Sequence, residues 1–134
     1  MTKRQIIFAR IILVLYLVAV AVLCFANIKN TPQIKKELFG IATDKIAHFL
    51  MFLPLPVLAF FAFDKYTEKV WSSILFTILT FGCGIGIAAL TELVQSRLPY
   101  RSGDGRDFLA DVIALAASSA FVLILDISKQ KKRL

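Results

Sequence analysis

Charged residues are scarce in this chain of 134 residues, where they make up 19% of the sequence against 58% for hydrophobic residues. Soluble domains average about 25% charged and about 45–50% apolar residues. A 15.0 kDa globule also has too small an interior to bury such an apolar excess. Together with a mean hydropathy of +0.75, this composition argues against a water-soluble domain and predicts a membrane protein.

Cysteine and histidine are almost absent, with two cysteines and one histidine. Cys24 and Cys83 both lie in apolar runs, which favours inert buried thiols over a disulfide framework or a metal site. The sequence also lacks an H-E-x-x-H zinc motif. A divalent cation held by carboxylates stays an open alternative, and the sequence identifies no cofactor.

Long apolar runs are what the sequence does contain: there are four, at about residues 6–26, 46–63, 70–94 and 108–125. Roughly 20 residues cross a bilayer as a helix, and the runs lack the alternation of a membrane β-barrel. The predicted fold class is therefore an all-α polytopic membrane protein, a four-transmembrane-helix up-down bundle. In this interpretation residues 1–134 form a single integral membrane domain.

The first run has a second interpretation, because a basic start followed by an apolar stretch is also typical of a signal peptide. Ala19, Val20 and Ala21 offer a small-residue cleavage site. A lipoprotein site at Cys24 is disfavoured, because Leu23 stands where a small residue is wanted. A retained first helix is the preferred interpretation.

The connections between the runs differ in character. Residues 27–45 predict a loop with a short surface helix over 32–39, and residues 64–69 predict a tight charged turn. Residues 95–107 contain Pro99 and a Ser-Gly-Asp-Gly sequence, which predict turns. The basic residues 128–134 predict a solvated tail. Pro54 and Pro56 lie inside the second run, where they predict a kink, with or without a cavity beside it.

Lysine and arginine positions set the expected orientation. With the amino terminus inside, nine basic residues lie inside and seven outside, and the flanks of the first and last runs are the most basic. The positive-inside rule then places both termini in the cytoplasm. The net charge of +7 favours membrane lipids as partners over nucleic acid. The inside set is Lys3, Arg4, Arg10, Lys65, Lys69, Lys129, Lys131, Lys132 and Arg133; the outside set is Lys29, Lys35, Lys36, Lys45, Arg97, Arg101 and Arg106.

Three polar pairs lie near the ends of the last three runs, each at a spacing that places both residues on one helix face. In an up-down bundle all three pairs reach the same membrane surface, which is the outer one in this orientation. Carboxylates at such positions usually face the bundle interior and mark function. The pairs are Asp44 with His48, Glu92 with Gln95, and Asp107 with Asp111.

Several of the polar residues in and around these pairs also have a purely structural interpretation. Asp44 and Asp107 are acceptable as helix N-caps, and His48 as a hydrogen-bonded packing residue. Arg101 and Arg106 suit contacts with lipid headgroups or with nearby aspartates. The sequence leaves these alternatives open.

Small residues predict a close contact between the third and fourth spans. Gly82 and Gly86 are four residues apart in the third run, and Ala110 and Ala114 are four apart in the fourth. Such pairs let helix backbones approach each other in a bilayer. We therefore expect Gly82 and Gly86 to contact Ala110 and Ala114.

Three motifs follow one another in the last three runs: Asp44-Lys45-x-x-His48-Phe49, then Glu92-x-x-Gln95, then Arg101-x-x-Asp104-x-x-Asp107-x-x-x-Asp111. Their order and spacing resemble the VanZ-like family of small bacterial membrane proteins, and the resemblance covers about residues 44–117. Where that family commonly has asparagine and then glycine, this chain has Asp111 and Ala114. The candidate polar site comprises Asp44, His48, Glu92, Gln95, Arg101, Asp104 and Asp107, all matching the family, together with Asp111.

Two classes of function follow. The family's namesake is associated with resistance to the glycopeptide teicoplanin. The resemblance thus implies a multi-pass protein of the bacterial cytoplasmic membrane, whose outer-face site binds or acts on a cell-wall precursor, another envelope component or the glycopeptide. The alternative is a membrane enzyme that uses His48, carboxylates and Arg101 for acid–base or metal-assisted hydrolysis or transfer on a lipid-linked phosphate. Transport has the weakest case, since the chain shows no inverted repeat.

Overall fold

The computed structural model describes residues 1–26, 37–63, 67–101 and 103–131. The helices in these ranges are α1 (Lys3–Phe25), α2 (Thr43–Phe52), α3 (Leu55–Phe63), α4 (Val70–Arg97) and α5 (Gly105–Lys131). Two short strands, β1 (Glu37–Leu38) and β2 (Ile41–Ala42), stand before α2.

Four helical segments are long and apolar enough to cross a membrane, and they correspond to the four predicted runs. The segments are Lys3–Phe25, Thr43–Phe63, Val70–Arg97 and Gly105–Lys131. Each extends beyond its predicted bounds at one or both ends, because polar residues continue the helices past the apolar windows. The predicted solvated tail begins inside α5, which ends at Lys131; Ser128, Lys129 and Lys131 are exposed, as predicted, and residues 132–134 lie outside the described ranges.

A small hairpin precedes the second span. β1 pairs antiparallel with β2, with Glu37 opposite Ala42 and Leu38 opposite Ile41. The turn residues Phe39 and Gly40 both have positive φ, at 54° and 76°, as a two-residue hairpin turn of type I′ requires. The predicted surface helix over 32–39 is thus wrong at residues 37–39, and its remaining part lies outside the described residues.

The second span is divided at its prolines, which confirms the predicted kink. Helix α2 ends at Phe52 and α3 begins at Leu55. Pro54 and Pro56 have no N–H to donate to carbonyls of the preceding turn. At this break the hydroxyl of Tyr16 in α1 donates to the carbonyl of Met51, so a side chain of another helix satisfies a carbonyl at the interrupted ladder.

Helices α4 and α5 pack closely, as predicted, but through a different face of α4. Gly84 is buried, and a Cβ added there would lie 2.7 Å from Cδ2 of Leu115. The predicted contacts of Gly82 and Gly86 are wrong, since a Cβ at either position would meet no atom within 4 Å. The α5 side of the contact includes Ala114, which is fully buried as expected, whereas Ala110 is only partly buried.

Helices α4 and α5 also make a polar contact, which lies far from the hairpin. The hydroxyl of Ser73 donates to Oδ2 of Asp126 over 2.6 Å, and both side chains are buried. The amide of Gln130 donates to Ser73 Oγ at 2.7 Å and to the Thr67 carbonyl at 2.8 Å. These bonds tie the start of α4 to the end of α5.

Candidate functional site

The end of α1 meets the end of α4 and the segment that follows it. The last carbonyls of a helix have no partner within it, and here side chains from residues 95–101 supply the donors. These bonds hold the predicted residues Gln95 and Arg101 against α1. The donors and their acceptor carbonyls are Gln95 to Cys24 at 3.0 Å, Tyr100 to Phe25 at 2.9 Å, and Arg101 to Leu23 at 2.8 Å.

His48 and Asp111 form a buried pair between α2 and α5. The Nδ1 atom of His48 lies 3.1 Å and 3.3 Å from the two oxygens of Asp111. His48 is 7% exposed and Asp111 is fully buried. Because a carboxylate only accepts hydrogen bonds, this contact places a proton on Nδ1 and leaves Nε2 directed elsewhere. Nε2 lies 3.8 Å from Oδ2 of Asp107, one helical turn earlier in α5.

Lys45 connects the start of α2 to the start of α5. Its ammonium group lies 3.0 Å from Oδ2 of Asp104 and 3.2 Å from Oδ1 of Asp107. Asp104 also accepts the backbone N–H of Arg106 at 3.0 Å. These two donors, the Arg106 N–H first, hold the pKa of Asp104 below its ordinary value of 3.8.

The structural alternatives for Asp44 and Asp107 receive little support. The residue at the N-cap of α2 is Ala42, which makes no side-chain capping bond. Asp44 accepts the N–H of Lys45 next to it at 2.9 Å, and its other oxygen lies 3.6 Å from the Lys45 ammonium group. At the start of α5, Asp104 accepts a backbone N–H, while Asp107 binds Lys45. Asp107 is therefore a tertiary contact of α2 and α5 rather than a cap.

Glu92 lies beside the turn that precedes α5. A Cβ added at Gly103 would lie 3.0 Å from Glu92 Oε1 and 2.7 Å from the Cβ of Ser96, so glycine allows this turn to approach α4. The other carboxylate oxygen, Oε2, is buried and has no hydrogen-bond partner within the described ranges. Glu92 therefore lies beside the other predicted site residues, and within the described ranges no cation is paired with its Oε2 atom.

A cavity of about 570 Å³ opens where these helix ends meet. Five of the eight predicted site residues line it: Asp44, His48, Gln95, Arg101 and Asp107. Asp111 and Asp104 lie behind its wall through their contacts with His48 and Lys45. The structure therefore brings the predicted polar residues to one place, with Glu92 at its border.

Three further residues belong to this region and were absent from the predicted site. Lys45 stands inside the first motif, so the sequence offered a signal for it. Tyr16 of α1 and Tyr100 both line the cavity. Tyr16 lies in the middle of an apolar run, and nothing in the sequence pattern links it to residues 44–111.

The carboxylates do not gather as a metal centre. Across residues 1–26, 37–63, 67–101 and 103–131, no group of three or more His, Cys, Asp or Glu side chains is placed to hold a metal ion. A lysine lies between Asp104 and Asp107, where a cation would otherwise be needed. The chemistry available is hydrogen bonding, charge pairing and proton transfer at His48.

Comparisons with known proteins add one similarity. An uncharacterized protein of Schizosaccharomyces pombe is 33% identical over 91 residues, which are 68% of this chain and 51% of that protein. The chain thus spans about half the length of the curated relative it matches. No protein-family model matches the chain. No solved structure matches it significantly.

Proposed function

We propose that this chain is a VanZ-like multi-pass membrane protein whose cavity binds a cell-envelope component or a glycopeptide antibiotic, conferring low-level resistance. The observation that carries the proposal is the cavity of about 570 Å³ lined by His48, Arg101 and Asp107. Its volume is typical of small-molecule sites, which combine apolar walls with a few converging polar groups. The VanZ-like motifs supply five of the polar residues that line this cavity.

The proposal includes a membrane arrangement. The four spans cross the bacterial cytoplasmic membrane up and down, with both termini in the cytoplasm. The contacts of α1 with residues 95–101 and of α2 with α5 support this arrangement, because they bring alternate helix ends together. The cavity then opens at the outer membrane face, where envelope precursors and antibiotics are found.

The cost of burial supports a functional role for the His48–Asp111 pair. Ionisable side chains inside membrane helices are expensive and usually mark a working site. Replacing a buried ion pair with apolar residues of similar volume is often neutral or stabilising. Stability alone therefore does not explain why Asp111 and His48 are buried together. Binding a ligand or transferring a proton in the adjacent cavity does explain it.

Antibiotic susceptibility tests this function. A bacterial host expressing the wild-type chain should survive a higher teicoplanin concentration than the empty host, and Asp107→Asn or His48→Gln should abolish the difference. Asp126→Asn is the matched control, because it removes a buried carboxylate from the same helix outside the cavity. Equal resistance in the wild type and the cavity variants, at equal membrane levels, would reject the proposal.

A membrane enzyme is the second candidate, and the His48–Asp111 geometry favours it. With its Nδ1 proton held by Asp111, His48 has its Nε2 beside Asp107 in the cavity wall, where it exchanges a proton with a bound ligand as an oriented acid–base group does. The expected reaction is hydrolysis or transfer on a lipid-linked phosphate. Purified protein incubated with polyprenyl diphosphate, with and without Mg²⁺, should release phosphate if this is correct; no release above the His48→Ala variant excludes this reaction.

A further inference from the structure

The cavity lies between α1 and α2, which are joined by the Tyr16–Met51 hydrogen bond and the Cys24–Met51 sulfur contact. Its walls include residues from Tyr16 to Cys24 of α1 and from Asp44 to Met51 of α2. Helix α1 packs mainly on α3, and α2 packs mainly on α5, with little contact between α1 and α2 in the described ranges. The gap between them opens at the surface of the bundle, which is the lipid side in the proposed membrane arrangement.

The rim of this gap is apolar. Ala19 and Leu23 of α1 and Ala47 and Leu50 of α2 line the cavity, and all four are exposed on the surface. Leu23 is 57% and Leu50 is 58% exposed. The cavity is thus apolar where it opens between the helices and polar at the helix ends, a profile that matches an amphiphile rather than a fully polar solute.

The charged groups in the cavity wall carry both signs. Asp44 and Asp107 supply carboxylates, and Arg101 supplies a guanidinium. The Lys45 ammonium group lies 3.6 Å from Asp44 Oδ2 and 3.2 Å from Asp107 Oδ1, so each carboxylate keeps one oxygen that is not in contact with this ammonium group. Among the described residues, Arg101 donates only from Nη2, to the carbonyls of Leu23 and Ala26, so its other N–H groups are available to a ligand there. A guanidinium suits a phosphate, and carboxylates suit an ammonium group.

We infer that the cavity ligand is a phospholipid with an ammonium-bearing headgroup, which enters sideways between α1 and α2. The inference rests on the proposed binding function and names its ligand class. The phosphate pairs with Arg101, and the acyl chains stay in the bilayer along the apolar rim. The ammonium group shares the carboxylates of Asp107 and Asp44 with Lys45.

Lipid binding to the full chain in detergent, followed by native mass spectrometry, tests the headgroup. Phosphatidylethanolamine should bind at least ten times more tightly than phosphatidylglycerol, which shares the phosphate but lacks the ammonium group. Asp107→Asn should remove this preference. Equal affinities for the two lipids in the wild-type chain would overturn the headgroup assignment.

Two comparisons test the sideways entry. Soluble O-phosphoethanolamine, which is the headgroup without its chains, should bind at least ten times more weakly than phosphatidylethanolamine. Ala47→Trp and Ala19→Trp, which narrow the gap, should weaken lipid binding at least tenfold. Val14→Trp is the control, since Val14 is an exposed residue of α1 outside the cavity. Equal binding of the soluble headgroup, or unchanged binding in stably folded rim variants, would overturn lateral entry.

The outcomes separate this inference from the proposed function. If teicoplanin resistance requires His48 but phosphatidylethanolamine shows no preference, the ligand class is wrong while the envelope role stands. If phosphatidylethanolamine binds selectively and resistance is unaffected by His48→Gln, the ligand class stands and the resistance role fails. The soluble-headgroup comparison uses the wild-type chain, so it gives a result even if a rim variant does not fold.

Discussion

His48 and Asp111, 63 residues apart in the sequence, are joined by a hydrogen bond of 3.1 Å inside the protein. Asp111 is fully buried, so His48 is the partner that balances its charge. Together with the Lys45–Asp107 ion pair, this contact holds the rotation of α2 about its axis relative to α5. It also decides which histidine nitrogen faces the cavity.

Removing one member of this pair should destabilise the protein more than removing both. His48→Leu leaves a buried carboxylate without its partner, which costs about 3–5 kcal/mol. Adding Asp111→Leu should recover part of that loss. Melting temperatures of the two single variants and the double variant in detergent complete the cycle. Strictly additive losses would show that the two side chains are not coupled.

The α4–α5 contact predicts opposite outcomes for two neighbouring glycines. Gly84→Leu should lower stability by at least about 1–3 kcal/mol, the usual cost of overpacking a core, because the space beside Gly84 is filled by the buried Leu115. Gly86→Leu is the matched control and should be nearly neutral, since a Cβ there meets open space. Thermal unfolding in detergent compares them; a larger loss at Gly86 would contradict this packing.

The sequence predicted that α4 and α5 meet, but it selected the wrong face. A spacing of four residues shows that Gly82 and Gly86 share a face, and it leaves undetermined which face turns inward. Gly84 is two residues from each, which is roughly 200° around a helix of 3.6 residues per turn. Both faces of α4 are apolar, as is usual for a helix that crosses a membrane. The hydropathy of the sequence therefore does not show which face is buried.

For the candidate site, the sequence likewise predicted the location but not the detailed contacts. Span ends and motif spacing placed the polar residues at one end of the bundle, because alternate helix ends share a surface. The partners within the group were not predictable, since they depend on helix rotation. Lys45 binds both Asp104 and Asp107, and Tyr16 reaches the site region from an otherwise apolar helix.

The Ser73–Asp126 bond predicts a loss of stability without a loss of function. Ser73→Ala removes the 2.6 Å donor to a buried carboxylate, which costs about 1–3 kcal/mol. Because this bond joins the start of α4 to the end of α5, outside the cavity, lipid binding should change less than twofold. A lower melting temperature in detergent with unchanged binding is the expected result, and tenfold weaker binding would contradict the separation of the two regions.

Acid should weaken the link between α2 and α5 through Asp104. Its folded pKa lies below the ordinary 3.8, so its contribution is present above the unfolded pKa and disappears as the pH falls through the lowered folded value. Between about pH 5 and pH 2, the wild-type melting temperature should therefore fall more than that of Asp104→Asn. Parallel pH profiles for the two proteins would contradict a stabilising role for this carboxylate.

The proposed orientation predicts which exposed positions face the cytoplasm. Arg106, beside the cavity, and Glu68, before α4, are both exposed and lie at opposite ends of α4 and α5. In a Cys24→Ser, Cys83→Ser background, a cysteine at position 106 should react with an impermeant maleimide in intact cells, whereas one at position 68 should react only after lysis. Reporter fusions within residues 64–69 and after Leu134 should agree by being active only in the cytoplasm. The charge bias behind this orientation is small, with nine basic residues inside and seven outside. Labelling at position 68 in intact cells would reverse the topology and place the cavity on the cytoplasmic face.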